Sequence, residues 1–219
     1  MDFARLRRRV AGTAVIAAVG LIPWLLAPTV ASAQGCSDVT VVFARGTGEP
    51  PGIGRVGQAF VEALRPQLGD RTLSAYGVAY PATYDFMMAA DGAADAAAFV
   101  TTTAQSCPNS RIVLGGFSQG AAVVDMLAGI PPLGNRIGAL GPVLPPNVAP
   151  NVAAVAVFGN PATKFGNPIT TAPIFGGRAI DLCTDGDPIC SRGRNPFAHS
   201  DYVGRGMANQ AADFVARLV

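Results

Sequence analysis

Short apolar segments recur along the chain. The first of them, residues 39–44, is an unbroken run of apolar and β-branched side chains. Such a run predicts a strand that is buried on both faces of a parallel sheet. Further strands are predicted at 73–80, 112–117, 152–158 and 178–182.

Segments with helical spacing separate these strands. The first, residues 56–68, has apolar side chains at Val56, Phe60, Val61 and Leu64, which share one face of a helix. Further helices are predicted at 93–104, from Ser118 onward, and at 202–218. Strands that alternate with helices indicate an α/β fold, with a central, mainly parallel five-stranded sheet flanked by helices and right-handed crossovers.

One long connection interrupts this alternation. Residues 129–151 are rich in proline and glycine, and we predict no regular element there. Loops of this length are uncommon within a compact domain and are often functional. The segment is therefore either a flap over the active site or an inert excursion on the surface.

The first 33 residues have the pattern of a secretory signal peptide. Arginines near the N-terminus precede an apolar stretch at 10–30, and Ala31, Ser32 and Ala33 form a small-x-small cleavage site. Glycine and two prolines interrupt the apolar stretch, which favours a signal peptide over a membrane-spanning helix. We therefore expect a secreted protein whose single mature domain comprises residues 34–219.

Removal of these residues changes the charge of the chain. The whole sequence has 16 basic and 14 acidic residues. The first 33 residues contain four arginines and one aspartate, so the remainder has 12 basic and 13 acidic residues. The positive balance belongs mostly to the leader, and we expect no nucleic-acid partner.

The mature part contains four cysteines, which allow three pairings. An even number in an exported chain indicates disulfides. We favour Cys36 with Cys107 and Cys183 with Cys190, because the second pair closes a short loop that contains glycine and proline. The long intervals between the cysteines disfavour a zinc site, and we expect no metal and no cofactor.

Residues 116–120 read Gly-Phe-Ser-Gln-Gly and lie between a predicted strand and a predicted helix. A serine on such a strand-to-helix turn presents its hydroxyl to solvent, and the glycines leave room for the strained backbone. Ser118 is therefore a candidate nucleophile. The alternative is a serine that only caps the helix.

A nucleophilic serine needs an imidazole that accepts its proton and a carboxylate that orients the imidazole. His199 is the only histidine of the chain, so it is the candidate base. The chain order Ser, acid, His excludes Asp201 as the acid. Asp181, Asp185 and Asp187 stay possible, and a disulfide between Cys183 and Cys190 would hold the last two in a rigid loop.

The reaction also needs an oxyanion hole, which consists of two donors directed at the developing alkoxide. We expect one donor to be the backbone N–H of Gln119, the residue after the nucleophile. The other is expected in the glycine-rich loop at 44–49, where Thr47 offers its N–H and its hydroxyl. This loop is otherwise a plain turn, since it lacks the Gly-Lys-Ser/Thr signature of a phosphate-binding loop.

Together, these motifs resemble the cutinase family, and especially the secreted cutinase-like proteins of mycobacteria. The resemblance rests on Cys183, Asp187 and Cys190 with a histidine twelve residues after the aspartate, on Ala-Arg-Gly-Thr at 44–47 and on the serine turn. It implies an α/β-hydrolase fold without a large lid and ester hydrolysis by Ser118, Asp187 and His199. It also implies Thr47 and Gln119 as oxyanion donors and both favoured disulfides.

Apolar residues after the second strand and beside the acid and base are candidates for an acyl groove, or simply pack the loops. They are Tyr80, Pro81, Tyr84, Phe86, Met87, Met88, Ile189, Pro196 and Phe197. We expect a monomer that contacts lipid surfaces transiently and hydrolyses short to medium acyl esters, cutin-like polyesters or lipid esters. The alternatives are a phospholipase or thioesterase of cell-envelope lipids and a non-catalytic secreted binding protein.

Overall fold

The computed structural model describes residues 35–135 and 141–219. The predicted signal peptide at 1–33 lies outside the described residues. Within them, no helix is both long and apolar enough to cross a bilayer.

A five-stranded parallel sheet forms the centre of the domain, which confirms the predicted fold class. Its strand order is β2-β1-β3-β5-β6. A short strand, β4, lies against helices outside this sheet. The strands are β1 (Val39–Ala44), β2 (Leu73–Gly77), β3 (Arg111–Phe117), β4 (Pro132–Asn135), β5 (Val152–Phe158) and β6 (Ala179–Leu182).

Helices cover both faces of the sheet. They are α1 (Gly54–Leu64), α2 (Ala89–Ser106), α3 (Gln119–Leu127), α4 (Pro161–Lys164) and α5 (Met207–Ala216). Val41 and Phe43 of β1 pack with α1 and α5, whereas Val42 and Ala44 pack with α2 and α3. Because both faces of β1 are buried, its sequence shows an unbroken apolar run rather than alternation.

Two predicted segments differ most from the structure. The predicted helix at 202–218 begins only at Met207, after a series of turns in which Gly206 has a φ of 70°. This left-handed backbone favours glycine and ends the turn before α5 begins. The connection at 129–151 is not wholly irregular, because it contains β4 and a 3-10 turn at Ala149–Asn151.

Candidate active site

Ser118 occupies the turn between β3 and α3. Its φ of 56° and ψ of −116° are unusual for a residue with a side chain, and its N–H donates to the carbonyl of Phe158 at 2.9 Å. Glycine is required two residues before and two residues after Ser118, because other backbone atoms lie very close to both positions. A Cβ at Gly116 would lie 2.2 Å from the Gly120 oxygen, and a Cβ at Gly120 would lie 1.9 Å from the Ala44 oxygen.

The structure brings Ser118, His199 and Asp187 together at the carboxyl ends of the strands. His199 Nε2 lies 2.8 Å from Ser118 Oγ, and His199 Nδ1 lies 2.7 Å from Asp187 Oδ2. The imidazole stacks against Phe117, with 4.9 Å between ring centroids. This arrangement is a hydrogen-bonded chain in which an imidazole can accept the serine proton and a carboxylate can fix the imidazole tautomer.

Asp187 is fully buried, and its carboxylate is held by three donors. Its Oδ1 accepts the N–H of Ile189 at 2.7 Å, and its Oδ2 accepts the hydroxyl of Tyr202 at 2.5 Å as well as the His199 bond. Burial raises the pKa of Asp187, but these hydrogen bonds outweigh burial, so the pKa lies below its ordinary value. The carboxylate is therefore ionised at neutral pH.

The other two acid candidates lie elsewhere. Asp185 is exposed, and Asp181 is held by Asn160, Thr163 and the N–H of Ile169. Neither contacts the imidazole. Of the three aspartates that the sequence left open, Asp187 is the one that lies beside the imidazole.

Both favoured disulfides are present in the structure, between Cys36 and Cys107 and between Cys183 and Cys190. The second closes the loop that carries Asp187. Further hydrogen bonds hold this loop, including one from the Ser191 hydroxyl to the carbonyl of Asp187 at 2.5 Å. The carboxylate therefore lies on a constrained segment.

The loop after β1 is built around the carboxylate of Glu49. This carboxylate accepts the N–H groups of Gly46 at 2.7 Å and Arg55 at 2.8 Å. Thr47 lies between them in the chain, and its hydroxyl donates to the side-chain oxygen of Gln119 at 3.3 Å. The backbone N–H of Gln119 belongs to the first turn of α3, where N–H groups lack a partner within the helix.

A cavity of about 630 Å³ opens beside Ser118 and His199, a size typical of small-molecule sites. Most of the side chains around it are apolar. The lining residues are Thr47, Glu49, Arg55, Tyr84, Phe86, Phe117, Ser118, Leu133, Pro161, Lys164, Phe165, Pro188, Ile189, His199 and Ser200. From the long connection at 129–151, Leu133 thus contributes to the wall.

The predicted groove residues divide into two groups. Phe86 and Ile189 line the cavity, as does Tyr84, whereas Tyr80, Pro81 and Phe197 do not. The prediction for Tyr80 was wrong because its ring is in the core, 7% exposed, and its hydroxyl donates to the carbonyl of Arg45. Pro81 and Phe197 are exposed outside the lining, Phe197 at 82%.

Sequence reasoning missed two features of this site. Lys164 and Phe165 line the cavity at the end of a single-turn helix, α4, which is too short to give a periodic pattern. Tyr202, which bonds Asp187, lies within a segment that was predicted to be helical. Gly204 and Gly206 were the available signals that the start of this segment is irregular.

A second cavity, of about 680 Å³, lies at the amino ends of β5 and β6, away from Ser118. Its wall is mostly apolar and proline-rich, and it includes Val143, Ile174 and Arg178. It contains none of the predicted site residues. We therefore place the candidate chemistry in the cavity beside Ser118.

Comparison with known proteins gives consistent matches over the described domain. The Cutinase family model matches residues 35–219. Phospholipase Culp4 of Mycobacterium tuberculosis is 50% identical over 208 residues, which cover 94% of this chain and 90% of that protein. Carboxylesterase Culp1 of the same organism is 42% identical over 216 residues, which cover 95% and 94%.

Solved structures agree with this match. A Trichoderma reesei cutinase in complex with a phosphonate inhibitor is 35% identical with a TM-score of 0.67, covering 84% of this chain and 77% of that one. The catalytic core of an acetyl xylan esterase from the same organism has a TM-score of 0.71 at 22% identity, covering 84% and 100%. The second similarity concerns the fold alone.

Proposed function

This chain belongs to the cutinase family of carboxylic ester hydrolases, and we propose that it is a secreted esterase that works through an acyl-enzyme on Ser118. The observation that carries the mechanism is the continuous hydrogen-bonded chain from Ser118 through His199 to Asp187. The two disulfides and the leader-like sequence at 1–33 support secretion.

In the proposed reaction, His199 Nε2 accepts the proton of Ser118 as Oγ attacks the ester carbonyl. The ionised Asp187 stabilises the imidazolium, which then protonates the leaving alcohol. A water molecule, deprotonated by His199, attacks the acyl-enzyme and releases the acid. Each step uses an imidazole whose orientation the buried carboxylate fixes.

The oxyanion is assigned to the N–H of Gln119 and to Thr47. The hydroxyl of Thr47 donates to the side chain of Gln119, and Thr47 lines the same cavity as Ser118, the residue that precedes Gln119. Such donors stabilise the negative charge that develops only during the reaction, and each typically contributes a factor of about 10² to 10³ in kcat.

The size and the apolar wall of the cavity support the proposal that the substrates are esters with short to medium acyl chains, including cutin-like polyesters and lipid esters. Phe86, Leu133 and Ile189 offer an apolar wall for the acyl chain. Tyr84 is 93% exposed at the same cavity, and we propose that it contributes to transient contact with lipid surfaces by a monomeric enzyme. Because the chain is similar to phospholipase Culp4, a glycerophospholipid should be among the substrates that are tested.

The test is labelling with a fluorophosphonate probe together with hydrolysis of nitrophenyl esters of increasing acyl length. The wild type should be labelled and active, and Ser118→Ala should lose both properties. Ser106→Ala, an exposed serine at the end of α2, is the matched control and should behave as the wild type. A phospholipid and a polyester film, assayed in parallel, identify the preferred substrate.

Two outcomes would overturn the proposal. Turnover retained in Ser118→Ala would exclude this serine as the nucleophile. A folded wild-type protein that neither reacts with the probe nor hydrolyses any ester would favour the binding-protein alternative.

A further inference from the structure

Tyr202 is fully buried directly beneath the candidate triad. It lies in the turns between His199 and α5, and its ring stands perpendicular to the imidazole with 6.2 Å between centroids. Phe117 and Phe158 pack against the same ring, edge to face. The position of the phenol hydroxyl is therefore fixed from three sides.

The hydroxyl of Tyr202 has one donor and two acceptors within reach, of which the disulfide-bonded Sγ of Cys190, at 3.2 Å, is the weaker. The N–H of Thr184 donates to the phenol oxygen at 3.3 Å, and the phenol donates to Asp187 Oδ2 at 2.5 Å. Because Thr184 follows Cys183, this path connects the start of the disulfide loop to the carboxylate within the loop. Burial and the Asp187 carboxylate both raise the pKa of Tyr202, so the phenol keeps its proton.

We propose that Tyr202 is a positioning residue for the ester hydrolysis proposed above. Its hydroxyl holds the same Asp187 oxygen that binds His199, and thereby sets both the orientation of the imidazole and the charge that it faces. The proposal goes beyond the three residues of the triad. It adds a fourth side chain that acts through Asp187 and does not touch the substrate.

Because Tyr202 and His199 bind the same oxygen of Asp187, loss of the Tyr202 bond should change the protonation of the imidazole. Asp187 Oδ2 accepts two hydrogen bonds, one from Tyr202 and one from His199, while Oδ1 is occupied by the N–H of Ile189. The phenol takes up part of the negative charge on Oδ2. Without the phenol bond, more of this charge faces the imidazolium, which then forms at higher pH.

Tyr202→Phe removes only the hydroxyl and tests this link. We expect kcat for a neutral nitrophenyl ester to fall about ten-fold, with KM within two-fold of the wild type, because the loss concerns the proton-transfer chain. The acid limb of the kcat/KM profile should move to higher pH by a few tenths of a unit. Loss of packing alone would leave that limb unmoved.

Tyr76→Phe is the matched control. The hydroxyl of Tyr76 also donates to a carboxylate, with 3.0 Å to each oxygen of Asp95, but this pair connects β2 to α2 outside the cavity lining. The kcat of Tyr76→Phe should stay within two-fold of the wild type, and its pH profile should equal that of the wild type within error. An equal shift in both variants would contradict a role specific to the triad.

A double-mutant cycle separates action through Asp187 from independent packing. In an Asp187→Asn background, Tyr202→Phe should change the residual kcat by less than two-fold. A full ten-fold loss in that background would overturn the proposal, as would wild-type kcat and pH profile in the single variant.

A second substitution keeps the proposal testable if Tyr202→Phe does not fold. 3-Fluorotyrosine at position 202 keeps the ring and the hydroxyl but makes the phenol a stronger donor, so the acid limb should move to lower pH. Because the chain has one histidine, NMR titration of its imidazole reports the same shifts without turnover. The two proposals can thus fail separately. Absence of ester hydrolysis would contradict the proposed function, whereas an imidazole titration that is the same in the variants and the wild type would contradict the role of Tyr202.

Discussion

Asp125 of α3 and Asp181 of β6 share the amide of one side chain. Asn160 Nδ2 lies 3.1 Å from Asp125 Oδ1 and 2.9 Å from Asp181 Oδ2. Burial raises the pKa of both carboxyl groups, and for Asp125 the charge of Asp181 raises it further. Asn160 caps α4, whose first residue, Pro161, lines the cavity, so the aspartate pair is linked to the wall of the site through Asn160.

The first prediction concerns Asp125→Asn, which removes the more deeply buried charge. Because the pKa of Asp125 is raised in the folded protein, its contribution to stability is complete below its unfolded value and is lost as pH rises through the folded value. The asparagine cannot ionise. Its unfolding free energy relative to the wild type should therefore increase as the pH rises above the ordinary pKa of an aspartate.

Denaturant unfolding at several pH values measures this difference. Asp70→Asn, at an exposed aspartate, is the control and should show no such pH dependence. A difference between Asp125→Asn and the wild type that stays constant from pH 5 to pH 9 would show that Asp125 does not titrate as inferred.

The second prediction concerns Gly120, at the start of α3. A Cβ at this position meets backbone atoms of Ala44 and Arg45, which no rotamer change can move. We expect Gly120→Ala to lower the unfolding free energy by more than about 3 kcal/mol or to prevent folding. Gly35→Ala, where a Cβ has open space, is the control for thermal unfolding. A Gly120→Ala protein as stable as this control would contradict the close approach of β1 and α3.

The elements that were predicted well are those whose signal is local. The strands at 39–44 and 152–158 match the structure residue for residue, because their burial on both faces leaves continuous apolar runs. The turn at Ser118 was likewise visible, since the backbone approach requires glycine at positions two residues before and after it. In both cases one short segment contains the whole physical cause.

The parts that were missed depend on contacts between distant segments. Tyr80 and Phe86 are both aromatic and both follow β2, yet Tyr80 is in the core, where its hydroxyl donates to the carbonyl of Arg45, and Phe86 lines the cavity. The link between Tyr202 and Asp187 joins residues 15 positions apart across a disulfide loop. No periodicity along the chain encodes such a pair.

The third prediction concerns the two disulfides, which we expect to have different roles. Replacing Cys183 and Cys190 by serine should lower kcat more than ten-fold while costing roughly 2.5 kcal/mol of stability, because the loop that they close is short but carries Asp187. Cys36 and Cys107 are 71 positions apart, so their disulfide closes a much longer loop. Replacing both by serine should lower the unfolding free energy by roughly 4.4 kcal/mol, while the molecules that still fold should keep the wild-type kcat. Equal effects on kcat from the two pairs would contradict this division.

The fourth prediction concerns the hydroxyl of Thr47. It donates to Gln119, 3.3 Å away, and it must turn from this amide toward the substrate to bind an oxyanion. Thr47→Val keeps the shape but removes the donor, so kcat should fall about 10²-fold while KM changes little, since the bond forms only as charge develops. Thr47→Ser keeps the hydroxyl and should stay within a few-fold of the wild type.

Steady-state kinetics on one soluble ester distinguish this role from a packing role. If the hydroxyl only ordered the Gln119 side chain, Thr47→Val would change thermal stability and KM rather than kcat alone. Glu49 holds the N–H groups on both sides of the Thr47 loop, so the backbone donor should persist in Thr47→Val and account for its residual activity. Wild-type kcat in Thr47→Val would therefore assign the second oxyanion donor to the backbone of this loop and exclude the hydroxyl.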